Sequence, residues 1–591
     1  MKREAASIAL IYKSKMDINI MMKTMWSKSR KLQKSKGITI FGNMKKTRMA
    51  IVVLLVSVNI FAQLPAELQN PEIVSLNRMP MRNSAFGFEN MDKAKQYDRE
   101  KSANFFSLNG SWKFNWVQDP NQRPQNFFEL AYDDTKWTDF RIPASWEVNG
   151  YGLPIYVNQP YDFAGHNLRY AKMNPPFDIP ANNNPVGSYR KKINLPANWK
   201  GKQVFIHVGN AKSCLFVWVN GKKVGYSEDS KLAAEFDITK FVKAGENLIA
   251  FQVYRWSDAS YLECQDMFRF SGIERDVFLY ATEKLNIRDT KIISTLDDTY
   301  TNGLLSINTE ITSYKTEKGL YSKKDSLTVE VSLEDAKGNV IYQDKTKDFK
   351  TILGKYKTNV EFQTTIKNVQ KWTAETPYLY RLYITLKDAK GVVKEVVPLR
   401  IGFKKIEIKG TDFLVNGKRV FIKGVNRHEH HPTNGHTLSK EDMRKDMEMM
   451  KKLNVNAVRH SHYPPDPYCM ELCDEFGLYV VDEANIESHG LGYDLDVTLA
   501  NNPLWKESHL QRIQRMYERD KNHASVVTWS LGNEAGDGTN FYAAYDWLRK
   551  ETTLPIQYER DINYEKPNDT HYSEIFCPQY MSPDDLKKKK K

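Results

Sequence analysis

Cysteine is scarce: the 591 residues hold five, Cys214, Cys264, Cys469, Cys473 and Cys577. A sparse, odd set builds no disulfide framework, which excludes a disulfide-stapled scaffold. Cys469 and Cys473 lie four apart in a segment predicted helical and so share a face. Buried small hydrophobes are the first reading of that pair, and a metal site is the alternative. Apolar runs are short as well. The longest, Met49 to Ile60, cannot comfortably span a bilayer, which excludes a multi-pass membrane protein. A Gly-rich phosphate loop is also missing after every predicted strand of the C-terminal third, which argues against a doubly wound nucleotide-binding sheet. The formal charge of +14 is not a basic stripe. Residues 1–50 carry +11 and Lys587 to Lys591 carry +5, leaving −2 for everything between, so no nucleic-acid partner is expected.

The remaining composition is that of a globular protein. Hydrophobic residues make 41% and charged residues 27%, and 71 aromatics can build large cores, so disorder is not the main state. The length predicts three or four domains.

The two ends differ from the middle. Lys45, Lys46 and Arg48 precede the apolar run, and Ala62 is a small residue at a possible cleavage point. Residues 44–62 therefore read as a secretory signal peptide, with 1–43 as a spurious N-terminal extension and 63–100 as a linker. The alternative is a cytoplasmic protein with a buried N-terminal helix. No stable membrane insertion is expected.

From 101 to 283 short alternating strands follow one another, punctuated by turns such as Asn220-Gly221, a strong hairpin signal. A jelly-roll β-sandwich is predicted there, and an immunoglobulin-like sandwich over 284–400. After Ile401 the pattern changes. Strand candidates at Val420–Asn426, Ala457–Tyr463, Tyr479–Glu487, Val526–Glu534, Pro555–Glu559 and Ile575–Tyr580 alternate with helical segments. The first helix begins after Ser439, an N-cap with Asp442 three residues on, and puts Met443, Met447 and Met450 on one face. Alternating βα units with polar residues bunched at strand C-terminal ends predict a (β/α)8 TIM barrel over 401–591. Six strands are countable where eight close a barrel, so an incomplete barrel, truncated after about strand six, is expected.

The chemistry collects at those strand ends. Seven of the twelve histidines fall between 428 and 489. His428, His430 and His431 follow the first strand, His460 and His462 the second, His489 the third. Such clustering means a metal, a proton relay or a polar ligand cup. Glu534 ends an otherwise apolar strand beside Asn533. An unpaired buried carboxylate is costly, so Glu534 needs a neighbour or a task. General acid, with a pKa raised by low dielectric, and cap of the following helix are the two readings. Glu487 and His489 point to one side of an extended strand. With Glu534 they could hold one hard cation, which suits Mg²⁺ better than Zn²⁺. His428-Glu429-His430 could instead be the His-x-His pair of a metal-dependent barrel hydrolase, although the fourth strand offers no histidine.

FIKGVNRHEHHP, AVRHSHYP, LYVVDEANIESHG, VVTWSLGNEAG and PIQYER, with PIYVNQPY and RWSDASYLECQDMFRFSGIERDV upstream, resemble the galactosidase branch of glycoside hydrolase family 2 over residues 70–580. The resemblance implies retaining hydrolysis of terminal non-reducing β-D-galactosides. Glu534 would be the acid/base, and Glu487, His489 and Glu534 would hold Mg²⁺. His428 and His462 would meet the sugar ring, Asn533 its 2-hydroxyl, and Tyr558 would bond the nucleophile. Asn158 would line the sugar pocket, and Asp266 would bind sugar and a Na⁺. The family's nucleophile is a second Glu in a Glu-Tyr-Ala-His context, and no such segment occurs here. Without it the chain is expected to be inactive, and a non-catalytic galactoside-binding fragment is the rival reading. A secreted or periplasmic location and homo-oligomerisation of full-length relatives complete the expectations.

Overall fold

The computed structural model describes residues 64–163, 178–314, 326–346, 349–350, 357–561 and 571–589. The expected extension and signal peptide lie outside these residues. Two sandwiches and a βα-layered region follow one another along the chain, as the strand patterning predicts.

The first sandwich packs a seven-stranded antiparallel sheet on a four-stranded one. Its strand Cys214–Val219 is apolar at every position because both faces are covered, and its partner Glu246–Tyr254 is buried beyond its first residue. Asn220 and Gly221 both take positive φ, so the two-residue turn matches the twist of the strands it joins and pairs Val219 with Lys222. The core holds Trp112, Phe114, Trp146, Tyr189 and Phe251, with Trp112 stacked on Phe251 at 4.8 Å. The second sandwich sets Leu285–Leu296, Gly303–Ser313 and Lys357–Ile366 against a sheet built on Ser326–Glu334, Tyr380–Lys387 and Val393–Ile401.

Residues 64–100 are not the expected linker. Ser75–Leu76 adds an edge strand to the seven-stranded sheet, and Phe88 exchanges both backbone hydrogen bonds with Val396 of the second sandwich. Leu68, Phe88 and Ala94 are buried, so apolar burial holds this arm down.

The C-terminal region is a parallel sheet with strands β1 (Gly424–Arg427), β2 (Ala457–His460), β3 (Tyr479–Glu483), β4 (Val526–Ser530) and β5 (Ile556–Gln557), neighbours in that order. Helices α1 (Lys440–Lys452), α2 (Pro467–Phe476), α3 (Lys506–Asp520) and α4 (Thr539–Glu551) follow the strands. Ser439 and Asp442 form the expected capping box on α1, and Met443 and Met447 are buried while Met450 is partly covered. The sixth strand candidate, Ile575–Tyr580, is not a strand. Pro578 offers no amide to a ladder, and the preceding segment meets β5 through Glu574 N–H to Ile556 O at 2.8 Å and Ser573 Oγ accepting from Tyr558 N–H at 2.9 Å. Among the described residues β1 pairs only with β2, and its Val425, with Phe421 and Ile422 just before it, is exposed. No helix among the described residues is long and apolar enough to cross a membrane. All five cysteines are free.

The first sandwich is fastened to the barrel sheet. Cys264 N–H donates to Glu487 O at 2.9 Å, and Glu487 N–H to Leu262 O at 2.7 Å. Beside this bridge, Arg512 on α3 reaches Glu263 at 2.8 Å and Asp229 at 3.4 Å, Lys212 reaches Glu263 at 3.3 Å and Arg515 reaches Asp229 at 2.8 Å. All five side chains are buried. Removing one cation from such a network strands anions in low dielectric. Arg512→Met is therefore expected to cost about 3–5 kcal/mol in urea unfolding; a loss under about 1 kcal/mol would show that the network is dispensable.

Candidate active site

Glu534 lies four residues past β4 in a loop whose Gly532, Glu534 and Gly536 all have positive φ. For a Glu this left-handed backbone is uncommon and must be imposed by its surroundings. Part of the imposition is steric, since a Cβ on Gly536 would stand 2.3 Å from Thr498 Oγ1. Part is polar: Glu534 N–H donates to Glu559 Oε1 at 2.5 Å, and Ala535 N–H to Tyr558 Oη at 3.2 Å.

The three expected cation ligands converge. Donor atoms of Glu487, His489 and Glu534 all lie within 4.8 Å of one another, and all three residues are buried. His489 Nδ1 stands 2.7 Å from Glu534 Oε2 without the alignment of a hydrogen bond. That nitrogen and Glu487 Oε1 are left without hydrogen-bond partners. Two orphaned buried ligand atoms, one imidazole nitrogen and one carboxylate oxygen, facing the Glu534 carboxylate fit a cation. Burial, opposed by Asn533 but reinforced by the neighbouring Glu534 charge, holds the Glu487 carboxyl well above the ordinary range. A positive ion there would relieve both causes.

Glu534 does not have the raised pKa expected of it. Burial alone would lift its carboxyl, but the His489 contact and Arg560, whose Nη2 is 4.0 Å away, outweigh burial and hold it below the usual value. Tyr580, almost fully exposed, donates to Glu534 Oε1 at 3.4 Å.

The remaining expected residues form a hydrogen-bonded line. Asn533 Nδ2 donates to Glu487 Oε2 at 3.0 Å, and its Oδ1 accepts from Arg459 Nη2 at 3.0 Å. Arg459 Nε donates to Glu483 Oε2 at 2.8 Å, and Glu483 Oε1 stands 2.7 Å from His462 Nδ1. His462 packs edge-on to His428 with centroids 5.6 Å apart. Burial, with the charges of His462, His436 and Lys231, pushes His428 down to about 3, so it is neutral at physiological pH. Tyr558 donates its hydroxyl to Gly536 O at 2.7 Å and braces the Glu534 loop.

Asp266 and Asn158 sit on the first sandwich, where Met267–Arg269 pairs with Ile155–Val157. Tyr156 donates to Asp266, and Asn158 is exposed. Asp266 joins no group of three His, Cys, Asp or Glu ligands among the described residues. Nor do His428 and His430 join one, and Glu429 between them is spent on Arg275 at 2.6 Å and on Asp466 N–H at 2.6 Å. The His-x-His reading loses its basis.

The sequence reading missed Glu483, Arg459 and Glu559. Each is a charge in or beside a predicted apolar strand, the same signal that singled out Glu534. Burial and the nearby Glu483 raise the Glu559 carboxyl to about 7. A carboxyl raised in the folded chain contributes stability that is complete below its unfolded value, near 4.5, and is lost as pH rises through about 7. The stability of the unsubstituted chain relative to Glu559→Gln is thus expected to fall between those pH values in paired urea titrations; a pH-independent difference would contradict the assignment.

The chain matches three families by sequence: glycosyl hydrolases family 2, sugar binding domain, over 105–283; glycosyl hydrolases family 2 over 285–404; and glycosyl hydrolases family 2, TIM barrel domain, over 406–590. It is 40% identical over 526 residues to a β-galactosidase of Priestia megaterium, covering 88% of this chain and 49% of that protein. A β-galactosidase of Photobacterium profundum is 39% identical over 519 residues, covering 87% and 47%. The chain thus spans about half the length of the curated relatives it matches. Among solved structures, a Bacteroides uniformis β-glucuronidase superposes with a TM-score of 0.62 at 22% identity, covering 77% of this chain and 52% of that one. A Bifidobacterium dentium β-glucuronidase does so at 0.60 and 23%, covering 77% and 73%. At that identity the structures attest the fold alone.

Proposed function

The chain belongs to glycosyl hydrolase family 2, and on that premise we propose that its site is of the type that hydrolyses terminal non-reducing β-D-galactosides with retention, here carrying the acid/base half of that machinery. The carrying observation is the convergence of Glu487, His489 and Glu534, with unpartnered ligand atoms on the first two. The β-galactosidases that it resembles at about 40% identity support the galactoside.

Glu534 is the acid/base. It protonates the leaving glycosidic oxygen and later takes the proton from the attacking water. His489 and Arg560 keep it anionic in the free site, the form that activates water. A sugar seated over it displaces water from the carboxylate and favours the protonated form needed first. Mg²⁺ on Glu487, His489 and Glu534 would supply positive charge beside the reacting carboxylate. Na⁺ at Asp266 is a second expected ion. Asn533, fixed between Arg459 and Glu487, together with His462 and the neutral His428, faces the sugar hydroxyls.

A retaining reaction also needs a second carboxyl as nucleophile, about 5–5.5 Å from the first. Among the described residues the carboxylates gathered with Glu534 have other partners: Glu487 with Asn533, Glu483 with Arg459, His462 and Ser530, and Glu559 with the Glu534 amide. We infer that these residues supply the acid and cation side of the site and no nucleophile, so this chain turns over little or no substrate. The rival is a galactoside-binding fragment, and the leader-like residues 44–62 favour a secreted or periplasmic protein.

With an aryl β-galactoside, the chain is expected to give no aglycone release above that of Glu534→Gln. Calorimetry is expected to detect galactose and to lose it in Asn533→Ala. Turnover abolished by Glu534→Gln would overturn the inactivity, and stronger binding of glucuronate than of galactose would overturn the substrate class.

A further inference from the structure

The structure brings a third ligand to the cysteine pair of α2. Cys469 and Cys473 are one turn apart on its inner face, fully buried, and His460 at the end of β2 turns toward them. One donor atom from each lies within 4.8 Å of the other two. His460 Nε2 is 3.8 Å from Cys473 Sγ, and Met447 Sδ on α1 is 3.8 Å from the same sulfur. Alternation along β2 separates this group from the sugar-side network: Arg459 faces the cup and His460 the helix layer.

We propose that His460, Cys469 and Cys473 form a Cu(I) site, with the Met447 thioether as a weak fourth ligand. Three features select the ion. Every donor is soft or borderline and none is a carboxylate, which disfavours Mg²⁺, Ca²⁺ and Mn²⁺. A structural Zn²⁺ site takes four Cys or His ligands, and three are present. A thioether completes the set, and Cys and Met sulfur together select Cu(I). The imidazole is ready to ligate: burial and the neighbouring Arg427 charge press His460 down to about 3, so it is neutral, and its Nδ1 has no hydrogen-bond partner. The Cys469 hydrogen bond and burial hold the Cys473 thiol well above its ordinary value, and Arg427, paired through Nε with Asp446 at 2.9 Å, supplies the opposing positive charge. Binding forms two Cu–S bonds and one Cu–N bond and releases the two thiol protons to solvent, with no change of oxidation state. Cys214, Cys264 and Cys577 stand outside the group.

The test is anaerobic titration of the reduced full chain with Cu(I) against bicinchoninate, a chromophoric Cu(I) chelator. One equivalent should be withheld from the chelator. Cys473→Ser, with its fold checked by circular dichroism, should bind at least about 100-fold more weakly, and Cys577→Ser should be unchanged. Because a core substitution can unfold the chain, X-ray absorption of the loaded, unsubstituted protein gives a second readout, expected to show two sulfur ligands and one nitrogen. Failure to hold one equivalent, nitrogen and oxygen ligands only, or a folded Cys473→Ser that binds unchanged would each overturn the site and leave the thiols as core-packing groups.

Discussion

The site depends on a two-way backbone bridge between domains. Leu262–Cys264 of the first sandwich and Glu487 of the barrel exchange hydrogen bonds at 2.7 and 2.9 Å, within a buried ion network on Glu263, Arg512 and Asp229. Glu487 sits beyond the end of β3, in irregular chain with no ladder to hold it. The sandwich supplies that ladder. It thereby sets where Glu487 and His489 stand relative to Glu534, which hangs from β4 on a separate loop. The same closeness forbids a side chain at Gly490, where a Cβ would lie 2.8 Å from Gln159 O of the sandwich.

A second constraint is electrostatic. Glu487, Glu534, Glu483 and Glu559 crowd one cup. Arg459 and Ser530 hold Glu483 low despite its burial, so its charge persists and orders His462. The strain that remains is concentrated on Glu487 and Glu559, whose carboxyls are pushed up. A cation at Glu487 removes the larger part, which is the physical reason to expect one.

Much of this was legible in the sequence. Period-two alternation carried both sandwiches, with the Asn220-Gly221 turn marking a hairpin of the first, and the capping box at Ser439 marked the start of α1. Polar residues closing apolar strands located Glu487, His489, Asn533 and Glu534. Three things were not legible. The arm 64–100 is polar and turn-rich and becomes structure only through distant partners such as Tyr226 and Val396. The direction of the Glu534 shift depends on where His489 and Arg560 fall in space. The approach of His460 to Cys469 and Cys473 depends on how β2 packs on α2, which spacing along one helix does not encode.

We propose that Glu487, His489 and Glu534 hold one divalent cation. The most direct measurement is electron paramagnetic resonance with Mn²⁺ as the paramagnetic stand-in for Mg²⁺. The chain is predicted to bind one Mn²⁺ that Mg²⁺ displaces and that a folded Glu487→Gln no longer holds. A chain that binds no Mn²⁺, or a Glu487→Gln variant that binds it unchanged, would contradict the account.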